Sequence, residues 1–233
     1  TKMRPAPFAI LEGTASVSIT SMKSASEYNY YGVLDQDKIL EEASNFVSSN
    51  SDATKSEVEE ILRHFITLTS NDYLEEKRRV FTIRMTKPTD EYTETPRWHR
   101  DGRMYTTDRP GEVNSKYATT LLGNPTRIMT ESPLVKKVLD EEESIRMPSY
   151  EQDGAAYWAA AKEQEVRVAK RLAGQPLVGL PGGSIIKFSW DQVDSPVHSE
   201  PDMSTDRVFV SVLYGSEKEM RNMREIRQKE YRL

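Results

Sequence analysis

The sequence predicts a mainly β protein with helices, an antiparallel sandwich that carries helices on one outer face. Three observations lead there. Two amphipathic helical segments precede residue 79, and from that residue the apolar period changes from 3.6 to two. Short strands separated by turn residues follow, with one helical insertion among them. The last strand, DRVFVSVLYG (206–215), sets Val208, Val210 and Val212 on one face and Arg207, Phe209, Ser211 and Leu213 on the other. A face of valines alone has to be buried, here under the N-terminal helices. The face with an arginine and a serine has to line a cavity, and an inward charge on a central strand implies a charged ligand to meet it.

The elements follow in order. Residues 1–34 are mixed, with SVSITSMKSAS (16–26) reading as an edge strand and loop. Ile39, Leu40, Ala43, Phe46 and Val47 give residues 36–48 one apolar helical face. Thr54 and Glu57 stand as a capping box ahead of Val58, Ile61, Leu62 and Phe65, which predicts a second helix over 55–68. RVFTIRMT (79–86) alternates and reads as a strand. TPRWHRDG (95–102) reads as a short strand running into a turn at Gly102. KYATTLLG (116–123) and TRIMT (126–130) read as a strand pair around the GNP turn. Residues 150–173 have high helix propensity, with Ser149 and Gln152 as a capping box and Gly174 and Pro176 as the stop. The DEEE run (140–143) reads as a solvated helix end. Strands resume at GGSIIKFSW (182–190), PVHSE (196–200) and the valine strand, and Ser216 with Glu219 caps a charged helix to the C-terminus. There are no repeats and no low-complexity linker. One domain over 1–233 is expected: helical support at 1–78, a core at 79–215 with an insertion at about 131–173, and a final helix at 216–233.

Composition narrows the chemistry. The chain of 233 residues has 36% hydrophobic and 30% charged residues, a net charge of −5 and no cysteine. No apolar run approaches the length of a membrane span, and the start lacks the basic-then-apolar order of a secretory signal. The absence of cysteine rules out disulfides and thiolate chemistry and fits a cytoplasmic location. The acidic balance argues against a nucleic-acid partner, which needs a basic face. A small-molecule partner fits better, and any metal must use histidine and carboxylate ligands.

His99 and Asp101, in WHRDG, are separated by one residue, so on an extended segment both side chains project to the same side. With 37 acidic residues and three histidines, one His-x-acid is weak evidence by itself. The context sharpens it: His198 lies on a late strand, and Arg207 follows nine residues later at the start of the last strand. The plainer readings are turn residues at His99 and Asp101, a loop histidine at His198 and a surface charge at Arg207. His64, beside an apolar helix face, reads as structural, and Trp98 and Tyr105 read as packing.

The order His-x-Asp, a long gap, a distal His and an Arg about ten residues on resembles the Fe(II)/2-oxoglutarate-dependent dioxygenase superfamily. The resemblance covers about residues 79–215 and implies a double-stranded β-helix (jelly-roll) core. It implies that His99, Asp101 and His198 ligate Fe(II), that no further catalytic residue is needed, and that Arg207 binds the far carboxylate of the cosubstrate 2-oxoglutarate, with O2 as oxidant. Two imidazoles and a carboxylate on one face of an octahedron leave three positions for a bidentate 2-oxo acid and dioxygen. Arginine suits the remote carboxylate because its planar fork stays charged. Ser211, on the same strand face as Arg207, is a second cosubstrate candidate. In related halogenases the aspartate position is Gly or Ala, so Asp101 points to hydroxylation, desaturation or ring closure.

For the substrate, GGSIIKF places Ser184, Ile186 and Phe188 on one face, taken as inward because Lys187 lies on the other. Ile186 and Phe188 are therefore substrate-lining candidates, and Arg103 is a candidate for a substrate carboxylate. The chain also looks similar to the fungal aziridine-forming oxygenases of 2-aminoisobutyrate biosynthesis, which implies secondary metabolism and a branched amino acid such as valine. Two other readings remain at this stage. One is a jelly-roll metalloprotein that uses no 2-oxo acid, such as a cupin-like isomerase or oxidase, for which Arg207 has no purpose. The other is a non-catalytic binding module, against which the intact triad speaks.

Overall fold

A computed structural model of the chain describes residues 7–11, 19–33, 35–70, 78–107, 113–150 and 152–231. The N-terminal part holds β1 (Phe8–Leu11), β2 (Ser26–Val33), α1 (Gln36–Asn50) and α2 (Lys55–Ser70). Then come β3 (Arg78–Thr86), β4 (Ser115–Leu122) and β5 (Arg127–Ile128), followed by two helices, α3 (Pro133–Glu143) and α4 (Gly154–Arg171). The chain continues through β6 (Ile185–Ser189), β7 (His198–Ser199), β8 (Arg207–Gly215) and α5 (Glu217–Tyr231). Six strands form one antiparallel sheet in the order β1-β6-β4-β8-β3-β2, and β5 and β7 form a small second sheet. The fold is mainly β with helices, in the two-sheet manner of a jelly roll.

The valine face of β8 decides the layering. Val208, Val210 and Val212 pack with Phe81, Ile83 and Met85 of β3 against Ile39, Leu40 and Val47 of α1 and Val58, Leu62 and Phe65 of α2. Each such fully buried side chain contributes roughly 1.5–3 kcal/mol relative to exposure, so this layer fixes which face of the large sheet turns inward. On that inner face Ala118 of β4 and Ile186 and Phe188 of β6 pack with Ile128 of the small sheet. The space between the sheets is therefore apolar on one flank. α3 and α4 cover the outside of the small sheet, where Val135, Val138, Leu139, Val168 and Leu172 meet Trp98, Met129 and Val197. α5 closes one end through Met220 and Met223, packed on Val80, Tyr105, Trp190 and Leu213.

Several expectations are corrected. KYATTLLG and TRIMT do not pair with each other: β4 lies between β6 and β8, while β5 pairs with β7. The GNP segment instead carries the chain from one sheet to the other. Its Gly123 has φ +84, and a Cβ there would collide with the Asp206 carbonyl oxygen, so a non-glycine residue is excluded twice over. TPRWHRDG is not a strand but makes a single bridge at His99. In SVSITSMKSAS, residues 16–18 lie outside the described residues, and 19–25 carry only a bridge from Met22 to Ser51. β2 is one edge strand of the large sheet, β1 the other, and β2 alternates half-buried and exposed residues because Tyr28 and Tyr30 pack toward the helices while their neighbours face outward.

The insertion contains two helices rather than one. α4 starts at Gly154 with Asp153 as its cap, accepting from the Ala156 amide; the Ser149 carbonyl accepts from Gln152 and Asp153 in the turn before it. The DEEE run is not wholly solvated. Glu142 is 4% exposed and receives Arg167 Nε and Arg171 Nη1, each at 3.0 Å, which ties α3 to α4. The Thr54–Glu57 and Ser216–Glu219 capping boxes form as expected.

Candidate metal centre

The two histidines meet because two distant segments pair at one residue each. The His99 amide donates to the His198 carbonyl at 3.0 Å and the His198 amide to the His99 carbonyl at 2.9 Å. Residues directly opposite in such a pair project to the same side, and the imidazole centroids lie 4.4 Å apart. Asp101, two residues on from His99, turns the same way, and its carbonyl is held by the Asp191 amide at 2.9 Å. Asp191 takes φ 53, a conformation that lets this corner close. Arg97 and Glu200 clamp the two segments together, with Nη2 to Oε1 at 2.6 Å and Nε to Oε2 at 3.2 Å. Burial alone would raise the Glu200 pKa, but this fork holds it at about 2.

Both imidazoles are oriented by the backbone. His99 Nδ1 lies 2.8 Å from the Arg97 carbonyl and His198 Nδ1 lies 3.0 Å from the Pro196 carbonyl. A carbonyl only accepts, so Nδ1 carries the proton in each ring and Nε2 keeps its lone pair. Those two Nε2 atoms lie 3.7 and 3.6 Å from Asp101 Oδ1, too far for hydrogen bonds and suited to sharing one ion. Ligand atoms of the three residues all fall within 4.8 Å of one another, and among the described residues no other group of this kind occurs. Burial lowers the His198 pKa, which keeps the ring neutral as a ligand must be. Burial would raise the pKa of Asp101, yet the Lys116 ammonium and the two facing imidazoles hold it well below the usual carboxylate range. Two imidazoles that turn Nε2 to one ionised carboxylate fit a divalent transition ion such as iron(II).

Arg207 opens β8 on the inner face. Its Nε donates to the Asn124 carbonyl at 3.3 Å and its Nη2 to Thr126 Oγ1 at 3.1 Å, and its Cζ stands 4.5 Å from the Phe209 ring centroid. Among the described residues no carboxylate pairs with it. Burial pulls its pKa down to about 10, which still leaves it charged at neutral pH. A narrow cleft beside it is lined by Thr120, Thr126, Ser184, Ile186 and Phe209. Ser211 is half-buried on the same strand face, four residues and about 13 Å of strand from Arg207.

Phe188 lies 5.0 Å from the His198 ring, centroid to centroid, and Ile186 lines the Arg207 cleft. Arg103 is exposed and donates to Asp191 Oδ2 at 2.9 Å, outside the triad. His64 is exposed on α2, and Trp98 and Tyr105 are buried in two separate packing clusters. Arg100 points away from the ligands, its Nε donating to the Ser195 carbonyl at 3.1 Å.

One residue of the site goes unnoticed in the sequence. Lys116 Nζ donates to Asp101 Oδ2 at 2.6 Å and stands 4.7 Å from the Phe188 ring centroid. Its signal was available in KYATTLLG: a lysine in step with Ala118 on a strand whose other face carries Tyr117. The same inward-charge argument that singles out Arg207 applies to it.

No protein-family model matches the sequence, and no curated protein is similar to it. Solved structures with a related course include a viral collagen prolyl hydroxylase from Paramecium bursaria Chlorella virus-1, with 9% identity, TM-score 0.34, and coverage of 82% of this chain and 89% of that one. Another is the Kdo hydroxylase KdoO, described as a non-haem Fe(II) α-ketoglutarate-dependent dioxygenase. Its complex with α-ketoglutarate and Fe(III) aligns at 13% identity and TM-score 0.35 over 89% of this chain and 87% of that one. Its complex with succinate and Fe(III) aligns at 14% identity and TM-score 0.33, over 94% and 88%.

Proposed function

We propose that this chain is a non-haem iron(II)- and 2-oxoglutarate-dependent oxygenase that oxidises an unactivated carbon of a small molecule. The observation that carries the reading is the convergence of His99 Nε2, His198 Nε2 and Asp101 Oδ1 on one point, with both Nδ1 atoms tied to backbone carbonyls. Arg207 selects this class over a jelly-roll metalloprotein that needs no 2-oxo acid. A buried guanidinium without a carboxylate partner among the described residues is costly unless a ligand supplies the anion.

Iron(II) held by the triad, together with 2-oxoglutarate, supplies activation of dioxygen coupled to decarboxylation of the cosubstrate to succinate and CO2. The protein's own part is positional. Arg207, braced by Asn124 and Thr126, takes the remote carboxylate of the cosubstrate and fixes its reach toward the triad. Phe188 and Ile186 form an apolar wall that excludes water from the reacting side and orients the carbon chain to be oxidised. The aspartate at position 101 supplies the third ligand, which leaves no place for a halide and favours hydroxylation or ring closure. The substrate is a branched amino acid such as valine, oxidised by hydroxylation or closure to an aziridine in secondary metabolism. The apolar wall and the resemblance to aziridine-forming oxygenases support this.

The test is aerobic incubation with iron(II), 2-oxoglutarate and a panel of branched amino acids, following succinate, oxygen uptake and product mass. Wild type should release succinate and an oxidised amino acid, while His198→Ala and Asp101→Ala should release neither. Equal succinate from wild type and His198→Ala would remove the triad from the reaction. Succinate released with some other compound, and none with the branched amino acids, would remove only the substrate.

A further inference from the structure

We propose that Lys116 anchors a carboxylate of the substrate beside the triad, so that the substrate class is a short-chain carboxylic or amino acid. This rests on the oxygenase reading above. Lys116 lies on the inner face of β4, opposite Phe188 on one side and Leu213 on the other. Its side chain is 21% exposed, so it is not sealed in the core. An ammonium has three N–H donors, and among the described residues one acceptor, Asp101 Oδ2, is assigned to it. Asp101 turns its other oxygen to the two imidazoles, so a ligand arriving beside Phe188 meets a cation with donors to spare.

Arg207 and Lys116 divide the work. Lys116 pairs with Leu213 across β4 and β8, and six residues of extended strand, about 20 Å of backbone, separate Leu213 from Arg207. The two cations therefore serve opposite ends of the inner face. Arg207 bonds to Thr126 at the edge of a cleft lined by threonines, whereas Lys116 faces the Phe188 ring, next to the triad. A substrate with a carboxylate on Lys116 would lie beside Asp101 and the imidazoles of the triad. Arg103, which the sequence suggests for this task, is exposed and paired with Asp191.

The test is calorimetric and needs no turnover. Protein loaded anaerobically with iron(II) and 2-oxoglutarate is titrated with valine and 3-methylbutanoate, and with their amides, valinamide and 3-methylbutanamide. Wild type should bind each acid more tightly than its amide by about ten- to a hundred-fold, the range of one charge-assisted hydrogen bond. Lys116→Met should erase that preference and Lys116→Arg should keep most of it, with thermal melting showing that both variants are folded. The affinity for 2-oxoglutarate, measured separately, should change by no more than a few-fold. The proposal is overturned if Lys116→Met keeps the acid preference, or if wild type binds neither acid better than its amide. It is equally overturned if Lys116→Met loses 2-oxoglutarate as fully as it loses the acids, because the carboxylate met there is then the cosubstrate's own. Failure of wild type to bind 2-oxoglutarate at all would instead sink the oxygenase reading.

Discussion

At the scale of single residues, the site depends on what stands next to the ligands as much as on the ligands. Phe188 shows this: it is buried, packs on the His198 ring and carries the Lys116 ammonium over its face. Phe188→Ala would open a core cavity at a cost of about 3–5 kcal/mol, so Phe188→Leu is the cleaner probe. It should leave iron and 2-oxoglutarate binding intact while raising the succinate formed per molecule of substrate oxidised, because displacement of the reacting carbon by about 1 Å is enough to cost roughly a hundred-fold in rate. An unchanged ratio would take Phe188 out of the substrate wall. His99, Asp101, His198 and Arg207 were legible because they are rare or charged residues in a recognisable order along the chain. Lys116 was not, because a lysine is common and its partner Asp101 lies on a loop whose path no local pattern reveals. Nor does the sequence show that the two imidazoles would be oriented by the carbonyls of Arg97 and Pro196.

At the scale of elements, the amphipathic and capped ones were legible and the connections between them were not. α1, α2 and β8 follow directly from their apolar periods, since each has one face that only burial satisfies. β4 and β5 are neighbours in sequence, which suggested a hairpin, but their backbones pair with different strands, β4 with β6 and β8 and β5 with β7, while Ala118 and Ile128 meet across the two sheets. The segment at residues 19–22 buries Ile19 and Met22 but is also held by polar contacts that have no period at all. Asp52, at the corner between α1 and α2, accepts from the Thr20 hydroxyl and from the amides of Thr20 and Ser21. These bonds, the Thr20 hydroxyl first, lower its pKa to about 2. A folded-state value below the ordinary one of about 3.9 means that the stabilisation is present above about pH 4 and is lost as pH falls toward 2. Asp52→Ala should therefore melt below wild type at pH 6, with the gap closing by pH 2. A gap independent of pH would mean that the carboxylate charge does not hold the segment.

At the scale of the whole molecule, two layers do different jobs. The helix-covered valine face fixes one side of the large sheet, and the opposite face, which carries Lys116 and Arg207, meets the small sheet that brings His198 to the triad. In the proposed function Arg207 is the residue that distinguishes 2-oxoglutarate chemistry, since a His-Asp-His triad alone would serve other metal chemistry equally well. The decisive measurement is the affinity of anaerobic, iron(II)-loaded protein for 2-oxoglutarate, in wild type and in Arg207→Met, with iron affinity measured alongside. Loss of a charge-assisted hydrogen bond worth about 1.5–3 kcal/mol should weaken cosubstrate binding by about ten- to a hundred-fold while iron binds as before. Equal 2-oxoglutarate affinity in the two proteins would contradict the assignment and leave the triad to a chemistry without that cosubstrate.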